Sequence, residues 1–121
     1  MPFSVSLPGI DFAAGLRHCG SDASLYIRLL GRFSSDPSFS SLNDALAAGD
    51  ISSAFLHAHT LKGLSAQLGL SPLCTQAEAI CELLRAQKHS SLEDARRALP
   101  ALRRAYAQTL RSIARIDAQF I

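Results

Sequence analysis

Apolar residues recur along this chain in steps of three and four, broken at intervals by Gly, Pro, Asp and Ser. The most regular run is the last: Leu92, Ala95, Leu99, Leu102, Tyr106, Thr109, Ile113, Ile116 and Phe120. Such steps put the side chains on one stripe of a helix, the seam of a bundle, over roughly 43 Å if the segment is helical throughout. Pro100 lies beside the seam and predicts a kink or short break. Upstream, Ile51, Ala54, Ala58, Leu61, Ser65 and Leu68 form a second stripe, with Asp50 placed to cap the helix and Gly69 to end it. Ser71-Pro72 reads as a cap followed by a first-turn proline for the next helix, whose inward face is Leu73, Ala77, Ile80 and Leu84. Lys88, His89 and Ser90 read as a loop, and Ser91 as the cap of the final helix with Asp94 three residues on.

The N-terminal third is more broken. Asp11 caps a short helix through Phe12, Ala13 and Leu16 that ends near Gly20. Ser21 and Asp22 start another, with Leu25, Leu29, Leu30 and Phe33 at helical spacing, until Asp36-Pro37 interrupts it. Leu42, Ala45 and Leu46 then continue to Gly49. Residues 1–10, with Pro2, Pro8 and Gly9, read as an N-terminal linker to one domain over 11–121. Helices with one apolar stripe each and short connections predict an all-α domain, an antiparallel up-and-down four-helix bundle with an additional short N-terminal helix.

Composition agrees. Ala and Leu supply 19 residues each of 121, against one Val and no Trp, a mix that favours helix over strand. The chain is long enough for one core and too short for two. Apolar residues at 48% with 18% charged argue against disorder. No apolar run reaches the 18 or so residues that span a bilayer, and Met1-Pro2-Phe3-Ser4 lacks the basic and apolar regions of a signal peptide. Cys19, Cys74 and Cys81 form no C-x-x-C pair and read as reduced core thiols of a cytoplasmic domain. The net charge of +2 hides an asymmetry: residues 95–121 carry six arginines against Asp117, and residues 1–94 carry six basic against nine acidic groups.

The chemistry is defined first by exclusion. The sequence has no Gly-rich nucleotide cradle, no His-Glu-x-x-His or Glu-x-x-His metal spacing, and no Gly-x-Ser-x-Gly elbow. His57 and His59 sit about 200° apart around a helix and cannot share a metal. His18 can favour a helix C-terminus when protonated. His59 differs in its surroundings. It lies outside the inward stripe, with Lys62, Gly63 and Ala66 at +3, +4 and +7 on the same surface strip. The two small residues leave room for a partner's atoms, and the lysine supplies charge for an anion on the ring. A glycine inside a helix costs about 1 kcal/mol relative to alanine, which suggests that clearance matters at Gly63. The competing explanation is an ordinary surface histidine, with Gly63 accommodating a neighbouring helix.

Ala58-His59-Thr60-Leu61-Lys62-Gly63, followed by Ala66, Leu68 and Gly69, resembles the phosphorylation motif of histidine phosphotransfer (HPt) domains, His-x-x-Lys-Gly with a further Gly ten residues after the His. The likeness extends to Leu7-Pro8-Gly9-Ile10-Asp11, to the Gly20-Ser21-Asp22 turn and to Ala47-Ala48-Gly49-Asp50, and fades in the final helix. Leu64 stands where the family usually has Ser or Ala. Where the family often places a polar side chain that hydrogen-bonds the ring, this chain has Cys81, with Glu78 and Glu82 nearby. The resemblance implies a phosphoryl relay without kinase machinery. The Nε2 of His59 attacks a receiver aspartyl phosphate, forms phosphohistidine and passes the group to a second receiver aspartate. Lys62 gives electrostatic support, and no cofactor is bound, Mg²⁺ coming from the receiver.

The implied partners are the receiver domain of a hybrid sensor histidine kinase and a downstream response regulator, docked on a monomer through Gly63, Ala66, Gln67, Phe55 and Leu56. No nucleic acid or membrane is expected. Two alternatives stay open: a non-catalytic helical interaction module, and a nucleic-acid binder through the basic last helix, where Arg97, Arg104 and Arg111 repeat every seven residues.

Overall fold

A computed structural model describes residues 7–88 and 90–120. Residues 1–6 and His89, read above as part of a linker and as a loop residue, lie outside it, as do the side chains of Asp117 and Phe120. The described residues form six helices and no strand: α1 (Phe12–His18), α2 (Ala23–Phe33), α3 (Ser38–Ala48), α4 (Ile51–Leu68), α5 (Ser71–Arg85) and α6 (Ser91–Phe120). Asp36-Pro37 interrupts the segment from 21 to 49 as its sequence requires, so two helices precede α3, one more than the single additional N-terminal helix of the expected fold.

The helix ends follow local chemistry. Asp11, Asp22 and Asp50 each accept a backbone N–H from the third residue on, Ala14, Leu25 and Ser53 respectively, at 3.0–3.1 Å, satisfying donors that have no partner within the helix. Gly49 and Gly69 end α3 and α4 in the left-handed conformation, both at φ 73°. Two expected caps are different. Leu70 precedes α5 with no side-chain cap, and Ser71 is already helical. The Ser91 hydroxyl accepts the N–H of Lys88, tying the loop to α6. Nor does Pro100 break α6, which runs on to Phe120. Pro100 is exposed, so the one carbonyl its missing N–H strands is open to water.

The inward stripes meet in one core. Leu61, Leu73, Ile80, Leu84, Leu102 and Ile113 are all at most 1% exposed. The central helix α4 packs along α3 and α5, α6 lies against α5, and α1 joins α4. Buried hydroxyls in the stripes are satisfied within their own helices, Ser65 by Leu61 O at 2.7 Å and Thr109 by Ala105 O at 2.8 Å. The described part of the expected linker is not free chain. Leu7 and Ile10 pack on the core, and the Ser112 hydroxyl donates to Pro8 O at 2.6 Å.

The junction of α1, α2 and α4 was not visible in the spacing. Tyr26, fully buried, donates its hydroxyl to Leu68 O at 2.6 Å, at the C-terminal end of α4 where carbonyls lack helical partners. Gly69, ten residues after His59, has a structural task there: a Cβ on it would strike Asp11 O. Its carbonyl joins the same corner, accepting the Asp11 N–H at 2.7 Å.

Candidate functional site

The site is the outward strip of α4. Because Ala54, Ala58, Leu61, Ser65 and Leu68 face the core, the opposite side of α4 is turned to solvent, and His59 and Gly63 are both exposed. A Cβ built on Gly63 meets nothing within 4 Å. Packing against a neighbouring helix therefore does not explain this glycine. By contrast, a Cβ on Gly15 would run into the Tyr26 hydroxyl and Leu68 O. Lys62 is half-buried, and its backbone carbonyl accepts the Cys74 thiol at 3.7 Å. Ala66 is exposed beside the same strip.

The His59 ring has no hydrogen-bond partner among the described residues. None of the three candidates near it, Cys81, Glu78 and Glu82, hydrogen-bonds the ring: Cys81 is fully buried in the core, Glu78 is exposed, and Glu82 is held by Arg85 at 3.2 Å. The physical reason is helical phase. Cys81 directly follows the inward Ile80 and shares its buried face, which turns the two glutamates outward. The group against the ring is Phe55, one turn earlier, with centroids 6.1 Å apart and planes inclined by 17°. The Arg85 guanidinium sits 5.4 Å from the Phe55 ring centre. Nothing in the sequence spacing links Arg85 to Phe55.

Charges of both signs, Lys62 and Arg85 with Glu78 and Glu82, meet on this side of the molecule. Burial pushes the Cys81 thiol up from its usual range, while Lys62 and Arg85 both pull it down. Cys74 is likewise raised, by burial first and then by Glu78, with Lys62 opposing. Lys62 and Arg85 are thus the two cations whose fields reach the α4–α5 contact beside the strip.

The other candidate positions separate by what they touch. Leu56 is 58% exposed, the one large apolar side chain so exposed among the described residues. Gln67 is partly committed to the fold, donating to His18 O at 3.0 Å while His18 Nδ1 lies 3.1 Å from Gln67 O. His18 thus reaches across to the last turn of α4. Leu64, a departure from the HPt pattern, lines a groove of about 230 Å³ with Leu29, Phe33 and Leu68, flanked by Arg32, Asp36 and Gln67. Sequence reading missed this groove because three of its seven lining residues come from α2.

Among the described residues, no cluster of His, Cys, Asp or Glu could hold a metal ion, and no helix is long and apolar enough to cross a membrane. The basic face of α6 is partly used by the fold. Arg96 donates to Leu46 O at 2.6 and 3.1 Å, closing the end of α3, Arg97 pairs with Asp94 at 3.0 Å, and Arg103 reaches Asn43.

Comparison with known families gives a match to the Hpt domain over residues 33–112. The chain belongs to the Hpt domain family. The matched segment runs from the end of α2 to Ser112, so it contains α3, α4, α5 and most of α6, with His59 inside it. It omits α1 and most of α2, where the sequence resemblance had extended, and includes much of the last helix, where it had faded. No curated protein and no solved structure matches the chain. Hpt domains carry phosphoryl groups in two-component phosphorelays, working with receiver domains, and are helical bundles.

Proposed function

We propose that this Hpt domain relays a phosphoryl group between receiver-domain aspartates through phosphohistidine at His59. The observation that carries the reading is Gly63. It is a glycine in a helix interior, facing open space, one turn from an exposed imidazole. Its helix-propensity cost of about 1 kcal/mol has no return within the chain, but it has one if a partner's atoms must come close to the ring. An unprotonated imidazole nitrogen is a competent nucleophile toward phosphorus. Phosphoryl transfer depends chiefly on alignment and on charge near the equatorial oxygens. Lys62 supplies part of that charge, and its contribution is modest because it is partly solvated.

In this reading the receiver docks on the strip of Phe55, Leu56, Gly63, Ala66 and Gln67 and brings Mg²⁺ with it. Both the receiver of a hybrid sensor kinase and that of a response regulator use the same strip in turn. Helices α3 to α6 form an antiparallel four-helix unit that holds the strip, and the domain acts as a cytoplasmic monomer without ATP chemistry of its own.

The test is transfer from a panel of phosphorylated receiver domains to the full chain and to His59→Gln. The expected product is an acid-labile, base-stable label on the wild type that His59→Gln lacks. A wild-type chain that stays unlabelled across the panel, or a label that survives in His59→Gln, overturns the assignment.

A further inference from the structure

We infer that Phe55 is a positioning residue for the His59 imidazole, and that Arg85 holds Phe55 in place. The inference deepens the phosphohistidine reading and rests on it. An exposed histidine with no hydrogen bond is free to sample its rotamers, and each wrong rotamer moves the attacking nitrogen out of line with phosphorus. In this molecule the Phe55 ring restricts the imidazole. The two rings lie 6.1 Å apart and only 17° from parallel, on successive turns of the same helix face. Stacking leaves both ring nitrogens uncommitted, unlike a hydrogen bond, so either can act as nucleophile or carry the proton.

Phe55 is itself constrained from the far side. It is half-buried against the core, and the Arg85 guanidinium lies 5.4 Å from its centroid, within cation–π range. Arg85 is in turn fixed by Glu82, which it meets at 3.2 Å. The line Glu82, Arg85, Phe55, His59 therefore runs from α5 to the reacting ring. Glu82 enters it as the anchor of the arginine, with no contact of its own to the imidazole.

The full chain is treated with phosphoramidate, a small donor that needs no docking surface. A ring nitrogen of His59 attacks phosphorus, the P–N bond to the donor breaks, ammonia leaves, and the ring proton passes to water. Phe55→Leu is expected to form phosphohistidine about 2- to 10-fold more slowly, the range of a stacked aromatic pair. Phe55→Tyr should restore the wild-type rate, and Arg85→Ala should fall between. Three-bond couplings across χ1 of His59 should report one dominant rotamer in the wild type and in Phe55→Tyr, and averaging in Phe55→Leu, which a purely structural role for Phe55 would not produce. Wild-type rate and unaveraged couplings in Phe55→Leu, or a Phe55→Tyr variant as slow as Phe55→Leu, overturn the inference. His59→Gln separates the two levels: a wild-type label absent from it keeps the phosphohistidine reading standing when Phe55 proves dispensable, whereas a label retained there removes both.

Discussion

Replacing Gly63 with alanine moves stability and function in opposite directions. No heavy atom lies within 4 Å of the added Cβ, so the folded domain accepts the methyl group without repacking. The gain is the full helix propensity difference, about 1 kcal/mol, worth roughly 3–6 °C in melting temperature for a domain of this size. A partner pressed close to the strip meets the same methyl group as overpacking, typically about 1–3 kcal/mol, which slows receiver-dependent transfer by roughly 5- to 150-fold. Urea denaturation followed by circular dichroism measures the first effect, and the rate of label transfer from a phosphorylated receiver measures the second. Gly15→Ala is the internal control. Its Cβ would meet Tyr26 and Leu68 O, so it must lower stability. A Gly63→Ala domain no more stable than the wild type would refute the claim that this glycine serves nothing inside the chain. A stabilised variant that transfers at the wild-type rate would refute close approach by the partner.

Tyr26→Phe removes the donor from buried Leu68 O and should cost about 1–3 kcal/mol in the urea midpoint. Burial, with Cys19 and Asp11 adding, raises the Tyr26 hydroxyl far above its usual range, and Tyr106 is raised chiefly by burial. The folded chain therefore keeps these protons after the unfolded chain has released them. Their contribution is complete below about pH 10 and declines as pH rises beyond it, so the midpoint should hold from about pH 8 to pH 10 and fall above that, less steeply in Tyr26→Phe. A pH-independent midpoint would contradict this. Asp50→Ala uncaps α4 and should lower stability by about 1 kcal/mol, as read from the same titration. Alkylation of the native protein, mapped by mass spectrometry, should modify half-buried Cys74 before Cys19 and Cys81, which are buried and wait on unfolding.

Much of the fold was legible because helices are local objects. Asp11, Asp22 and Asp50 cap helices through contacts three residues away, and the stripe from Ile51 to Leu68 is buried as its spacing requires, Ile51 only in part. The errors occurred where a short-range signal had two solutions. Ser71 and Ser91 are good caps by type, yet the chain enters the helix one residue earlier at each. Pro100 is a helix breaker by type, yet on an exposed face its lost hydrogen bond is replaced by water. His59, Lys62 and Gly63 could be grouped from spacing alone, since +3 and +4 neighbours share a helix surface.

By itself, then, the sequence determined an all-helical chain, most of its helix boundaries and the strip that carries His59, because periodicity and capping act over a few residues. The tertiary structure alone decided what each position answers to. It distinguished Gly63, which faces open space, from Gly15 and Gly69, which admit other helices. It joined Tyr26 to Leu68 across 42 positions and Ser112 to Pro8 across 104. It also set Phe55 beside the imidazole and Arg85 over the Phe55 ring, and buried Cys81 in the core. Such pairings depend on how whole helices are turned toward one another, a rotation that no local spacing encodes.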